Sequence, residues 1–170
     1  MFYYAVVSMQ MQQQRQDIIA STSQLRKRLT DTMDELHRAH PQIPQFISSL
    51  FPLVDCHEQH DSDDDCAANH LLRHQLANKI FAFWEEIIIT LPFADLDCHS
   101  FVSHFLQRAH SPLLHKEWLL AKSDFNTDTQ IFGDLLFEHA QGITNPCADS
   151  FLSAAKKIEK HPEFLRMMFE

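Results

Sequence analysis

Apolar residues recur along this chain with the 3.6-residue period of an α-helix, and hardly anywhere with the two-residue period of a strand. Ile18, Leu25, Leu29, Met33 and Leu36 are spaced seven, four, four and three apart, which makes one stripe of a helix near 14–39. Pro41 and Pro44 stop it, since proline lacks an N–H donor and disfavours helical geometry in the residue before it. A short apolar piece follows, Phe46-Ile47 to Leu50-Phe51. Residues 53–65, LVDCHEQHDSDDD, are the one strongly polar insert and predict an exposed acidic loop.

From about 66 to 91 comes a long helix carrying Leu72, Leu76, Ile80, Phe83, Trp84, Ile87 and Leu91. Around Ile87-Ile88-Ile89 it is apolar on nearly every side, so it should be central and well covered. A helix near 95–110 presents Phe101, Val102, Phe105 and Leu106. Ser111-Pro112 reads as a cap followed by proline at the first helical position, opening a helix to about 121. Asp128 starts the next, with Ile131, Phe132, Leu135 and Leu136, and Gly142 reads as its left-handed end. Asn145-Pro146 repeats the cap-plus-proline signal before Phe151, Leu152, Ala155 and Ile158, and Pro162 opens a last helix with Phe164, Leu165 and Met168. The expectation is an all-α fold of about eight helices with no credible strand and no internal repeat.

At 170 residues the chain suits one domain, with residues 1–13 a ragged start and 14–170 the helical body. Met9 and Met11 are alternative starts beside Met1. Fourteen Phe in a 45% hydrophobic chain supply ample core, and two glycines leave little material for phosphate loops. No G-x-G-x-x-G or Walker-type stretch is present. A net charge of −9 lacks the basic field that phosphate backbones require, so no nucleic-acid partner is expected. Arg26-Lys27-Arg28 beside Asp31 and Glu35 reads as a solvated face. Four cysteines without a CxxC pair suit reduced thiols, and no run approaches the roughly 20 apolar residues of a membrane span. These features predict a cytoplasmic location.

Twelve histidines raise the question of metal. The densest set is Cys56, His57, His60, Cys66, His70 and His74. A zinc site drawn from Cys56, Cys66, His70 and His74 would take two ligands from the helix and two from the loop, against the plainer reading of an exposed His-rich helix start. A di-iron bundle would need Glu-x-x-His, which is absent, and no nucleophile stands in a recognisable catalytic context. His110, at the end of an apolar stripe and before the Ser-Pro break, is either a helix-end residue, a core histidine or a metal ligand.

The order of parts resembles a globin. LTDTMDELHRAHPQIPQF (29–46) is similar to a globin's second helix running into a proline and a haem-wedging phenylalanine, and QDIIASTSQL (16–25) to its first helix. FLQRAH (105–110) resembles the segment that ends in the proximal histidine, with Leu106 one turn before it. The resemblance implies a three-over-three arrangement rather than a plain helical bundle, with haem as cofactor and a small gaseous ligand reversibly bound or sensed at its iron. It makes His110 the iron ligand, Phe46 the haem-contacting aromatic, His74 the residue near the distal side, and Met33 the occupant of a ligand-stabilising position. A fainter likeness of LRKRLTDTMDELHRAH (25–40) to haem oxygenase would use His37 instead. Beside these stands a reading without cofactor: a helical adaptor or regulatory protein that binds another protein.

Overall fold

A computed structural model of the chain describes residues 2–53, 67–90 and 98–169. Eight helices make up the described fold, with no strand among those residues. They are α1 (Phe2–Ala39), α2 (Pro44–Ser49), α3 (Ala67–Thr90), α4 (Cys98–Ala109), α5 (Pro112–Ala121), α6 (Thr127–Gln141), α7 (Ala148–Ile158) and α8 (Pro162–Phe169). The acidic insert, Cys56, His57, His60 and Cys66, the residue Leu91 and the start near 95 of the next helix lie outside the described residues, Leu53 excepted.

The first helix begins at Phe2, well before the stripe that sets in at Ile18. No glycine or proline interrupts 2–39, and its glutamine-rich stretch is made of good helix formers, so propensity carries the helix where periodicity is weak. It lies antiparallel to α3. Glu35 pairs with Lys79 at 2.5 Å and Arg28 with Glu86 at 2.7 Å, so seven residues down α1 match seven up α3.

Between Leu76 and Ile88, α3 buries side chains in several directions, including Ala77, Phe81, Phe83 and Trp84. It takes α1 on one side and both α5 and α6 on others, which is why its sequence is apolar almost all round. The covering has a gap: Ile89 is 59% exposed, contrary to the expectation for Ile87–Ile89.

An aromatic cluster binds these helices. Phe81 lies 5.3 Å from Trp84 and 5.0 Å from Trp118, and Trp84 lies 5.8 Å from Phe137 and 5.9 Å from Phe105. Rings from α3, α4, α5 and α6 thus meet in edge and tilted arrangements that add to simple burial. On the far side α4 packs on α7, whose Ala154 and Ala155 let the backbones approach, and α8 places Phe164 against Phe132 of α6.

Helix ends follow local chemistry. Ser111 accepts the Leu114 N–H at 3.1 Å and shares a 2.5 Å hydroxyl contact with Ser49, tying the start of α5 to α2. Asn126, two residues before the expected Asp128, caps α6 by accepting from Thr129, while Glu85 of α3 accepts from both Asn126 nitrogens. Gly142 has φ of −72°, so α6 ends in a right-handed conformation rather than a left-handed one. Cys147, not Asn145, precedes α7, and its N–H is taken by the Ser150 hydroxyl at 3.0 Å.

Candidate functional site

The most organised polar cluster joins the first turns of α3 to α5. Glu117 follows the turn of α5 that buries Leu114 and precedes Trp118, so its carboxylate is carried into the interface and is only 4% exposed. A carboxylate taken from water requires partners. Arg73 Nε donates to one oxygen at 2.7 Å and His74 Nδ1 to the other at 3.0 Å. With the Nδ1 hydrogen facing Glu117, His74 Nε2 is left to accept from Asn78 Nδ2 at 3.1 Å. Arg73 Nη2 in turn donates to His70 Nδ1 at 2.6 Å.

A carboxylate orienting an imidazole is the arrangement acid–base sites use, but here both imidazole nitrogens are spent on protein groups. The cluster works as a strut between two helices. It also bears on zinc. The Arg73 guanidinium sits against His70, where its charge would repel a cation, and both His74 nitrogens are engaged. Among the described residues no group of three or more His, Cys, Asp or Glu could hold a metal ion; Cys56 and Cys66 lie outside them.

The residues expected around a haem fall at separate joins. His110 Nε2 donates to the Ile143 carbonyl at 3.1 Å, and its ring stands edge-on to Phe151 of α7. An iron ligand needs the lone pair of the nitrogen that here carries a hydrogen toward a carbonyl. His74 belongs to the α3–α5 strut. Met33 lies where α1 meets α4, with Arg108 Nη2 3.8 Å from its sulfur. Phe46 and Leu106 are fully buried core residues. For Nε2 of His110 to bind iron, its hydrogen bond to Ile143 would have to open.

Two site-like residues went unmarked in the sequence. One is Glu117, whose only signal is a charge inside the apolar series Leu114, Trp118, Ala121. The other is Arg108, whose guanidinium lies 3.9 Å over the Phe51 ring and donates to Leu50 O at 2.6 Å. Among the described residues no carboxylate pairs with it, and burial pushes its pKa down to about 10. It closes the carboxyl end of α2, where an unpaired carbonyl would otherwise be buried.

Two surface features remain. A cleft of about 270 Å³ opens between the end of α1 and the start of α3, lined by Arg38, Gln42, Leu72 and Gln75 and crossed by the Glu35–Lys79 pair. On α5, Pro112, Lys116, Leu119 and Leu120 fall within one exposed arc, and Leu119 and Leu120 are 58% and 73% exposed. No helix among the described residues is long and apolar enough to cross a membrane.

Comparison with protein-family models, with curated proteins and with solved structures finds no match. The functional reading therefore rests on the residues themselves.

Proposed function

We propose that this chain is a helical adaptor that binds another protein through the outer face of α5. The observation that carries the reading is the adjacent pair Leu119–Leu120, which turns two large apolar side chains to solvent while Leu114, Trp118 and Ala121 of the same helix complete the core. The core is already served by the inner face, so the outer leucines contribute nothing to folding that a polar residue would not. Lys116 stands one turn before Leu120 on that arc and is the one charge at its centre. The chemistry suits an amphipathic helix offering an apolar anchor beside a carboxylate, in which apolar contact supplies affinity and the lysine sets orientation.

The test uses the whole chain and a set of synthetic helical peptides that carry leucine or phenylalanine with Asp or Glu three or four residues away. Amide shifts confined to 112–123, abolished in the Leu119→Ser/Leu120→Ser variant and weakened by Lys116→Glu, are the expected result. Absence of shifts there at millimolar peptide overturns the docking face. A haem spectrum appearing on haemin titration and lost in His110→Ala would overturn the adaptor reading itself.

A further inference from the structure

The breaker that ends α1 leaves a cleft behind it. α1 runs against α3 as far as the Glu35–Lys79 pair and stops soon after, at Ala39, ahead of Pro41 and Pro44. The chain turns off into α2 there, so Leu72 and Gln75 of α3 face the end of α1 across an open space of about 270 Å³. Its floor is apolar: Ala39 and Leu76 are buried and Leu72 is partly so. Its rim is polar, with Arg38, Gln42, Gln75 and Lys79 exposed. The carboxylate of the lining, Glu35, is taken by Lys79. Among the described residues no carboxylate pairs with Arg38, and neither glutamine side chain is engaged. The Ala39 carbonyl, at the negative end of the helix, is already covered by the N–H groups of Gln42 and Ile43 at 2.9 and 3.2 Å.

We infer that this cleft binds a small organic carboxylate, a single carboxyl group on a compact apolar body. The carboxyl group goes to Arg38, whose guanidinium can present two parallel N–H donors to it. The amides of Gln42 and Gln75 stand on the same rim as further donors. The apolar body covers Leu72 and Leu76. Charge selects this class of ligand. The chain carries a net −9, yet the lining of this cleft sets two cations against one carboxylate. A cationic ligand would find that carboxylate spent on Lys79. A phosphate dianion would meet a single unpaired cation, half of what its charge calls for. Size points the same way: sites for drug-sized ligands run from roughly 300 to 1,000 Å³, so this one takes a smaller molecule.

The inference is independent of the α5 docking face. Its test titrates the full chain with 3-phenylpropionate and, in parallel, with the uncharged 3-phenylpropionamide, and reads backbone amide shifts. The carboxylate should bind with a dissociation constant on the order of a millimolar, with shifts centred on Ala39, Gln42, Leu72 and Gln75. The uncharged amide should bind about 10-fold more weakly. Arg38→Gln should remove that difference, weakening the carboxylate and leaving the uncharged amide as it was. Gln75→Glu, which sets a competing carboxylate on the rim, should likewise weaken the carboxylate alone. Lys116→Gln, on α5, should change neither. Both cleft residues are exposed, and the near-ultraviolet signal of Trp84 and Trp118 reports whether each variant still folds; if one does not, the other carries the test. The inference is overturned by an absence of shifts in the cleft at tens of millimolar 3-phenylpropionate, by equal affinity for the two compounds, or by carboxylate binding indifferent to both cleft variants. Shifts confined to 112–123 overturn it too, while leaving the α5 face standing.

Discussion

The indole of Trp118 lies against Gly133 so closely that a β-carbon there would stand 2.3 Å from its Cζ2 atom. Glycine inside α6 costs helix stability of about 1 kcal/mol relative to alanine, yet here it makes room for the largest ring of the core. The ring is also fixed at its polar edge, where Nε1 donates to Asp134 at 2.9 Å. Gly133→Ala should therefore destabilise the protein by about 2 kcal/mol despite alanine's better propensity, because the ring must move in a packed interior. Denaturant unfolding measures it. In a Trp118→Leu background the same substitution should cost much less, and equal costs in the two backgrounds would show that the close approach does not govern the site.

Glu117 predicts an asymmetric response. Glu117→Gln leaves the Arg73 cation in the α3–α5 interface without its counter-charge and should cost about 3 kcal/mol. Arg73→Met/Glu117→Leu, which removes both charges and keeps volume, should recover most of that loss. A single variant as stable as the parent in urea would show that the strut is not a stabilising element.

Arg108 bears on His104, whose pKa is held below its ordinary value by burial first and by the nearby Arg108 charge second. Between its folded and unfolded pKa values, the unfolded chain binds the greater share of protons. His104 thus lowers stability as pH falls through 6.5 and has no such effect well above it. Arg108→Met should raise the His104 pKa only part of the way, since burial remains, and should flatten the acid side of the stability curve. Imidazole proton shifts against pH read the first effect directly; an unmoved His104 would disprove the coupling.

Cys147 is an exposed free thiol at the start of α7, held below the ordinary thiol range by the side chain and backbone of Ser150. A lowered pKa means more thiolate at pH 7–8, so its alkylation by iodoacetamide should outpace that of an unstructured peptide thiol. Ser150→Ala should shift the pH–rate curve upward. Identical curves for parent and variant would remove Ser150 as the cause.

The stripes that end in Leu36, Phe105 and Phe132 are legible because a helix half-covered by neighbours must repeat its apolar positions. The cap at Ser111 is equally plain, since serine before proline satisfies a fixed geometric need. The amino-terminal half of α1 was invisible to the same argument, as its helicity follows from propensity and the absence of breakers. Gly142 misleads because a glycine after a helix permits the left-handed conformation without compelling it. The candidate site was less legible still. His74 and His110 stand out in the sequence as ligands, but their hydrogen-bond partners Glu117 and Ile143 are distant in sequence. No local pattern announces that a nitrogen is already taken.

The pairing of α1 with α3 has a consequence for synthesis. Leu25, Leu29 and Leu36 leave the ribosome about fifty residues before the end of α3, a wait of roughly 3–10 s at ordinary elongation rates. During that interval α2 is the one described element made in time to pack against α1. The α6–α8 contact, by comparison, closes between elements about twenty residues apart, whereas α4 waits as long for α7 as α1 does for α3. Codon-level slowing between residues 50 and 90 should therefore raise aggregation more than the same delay placed after α7.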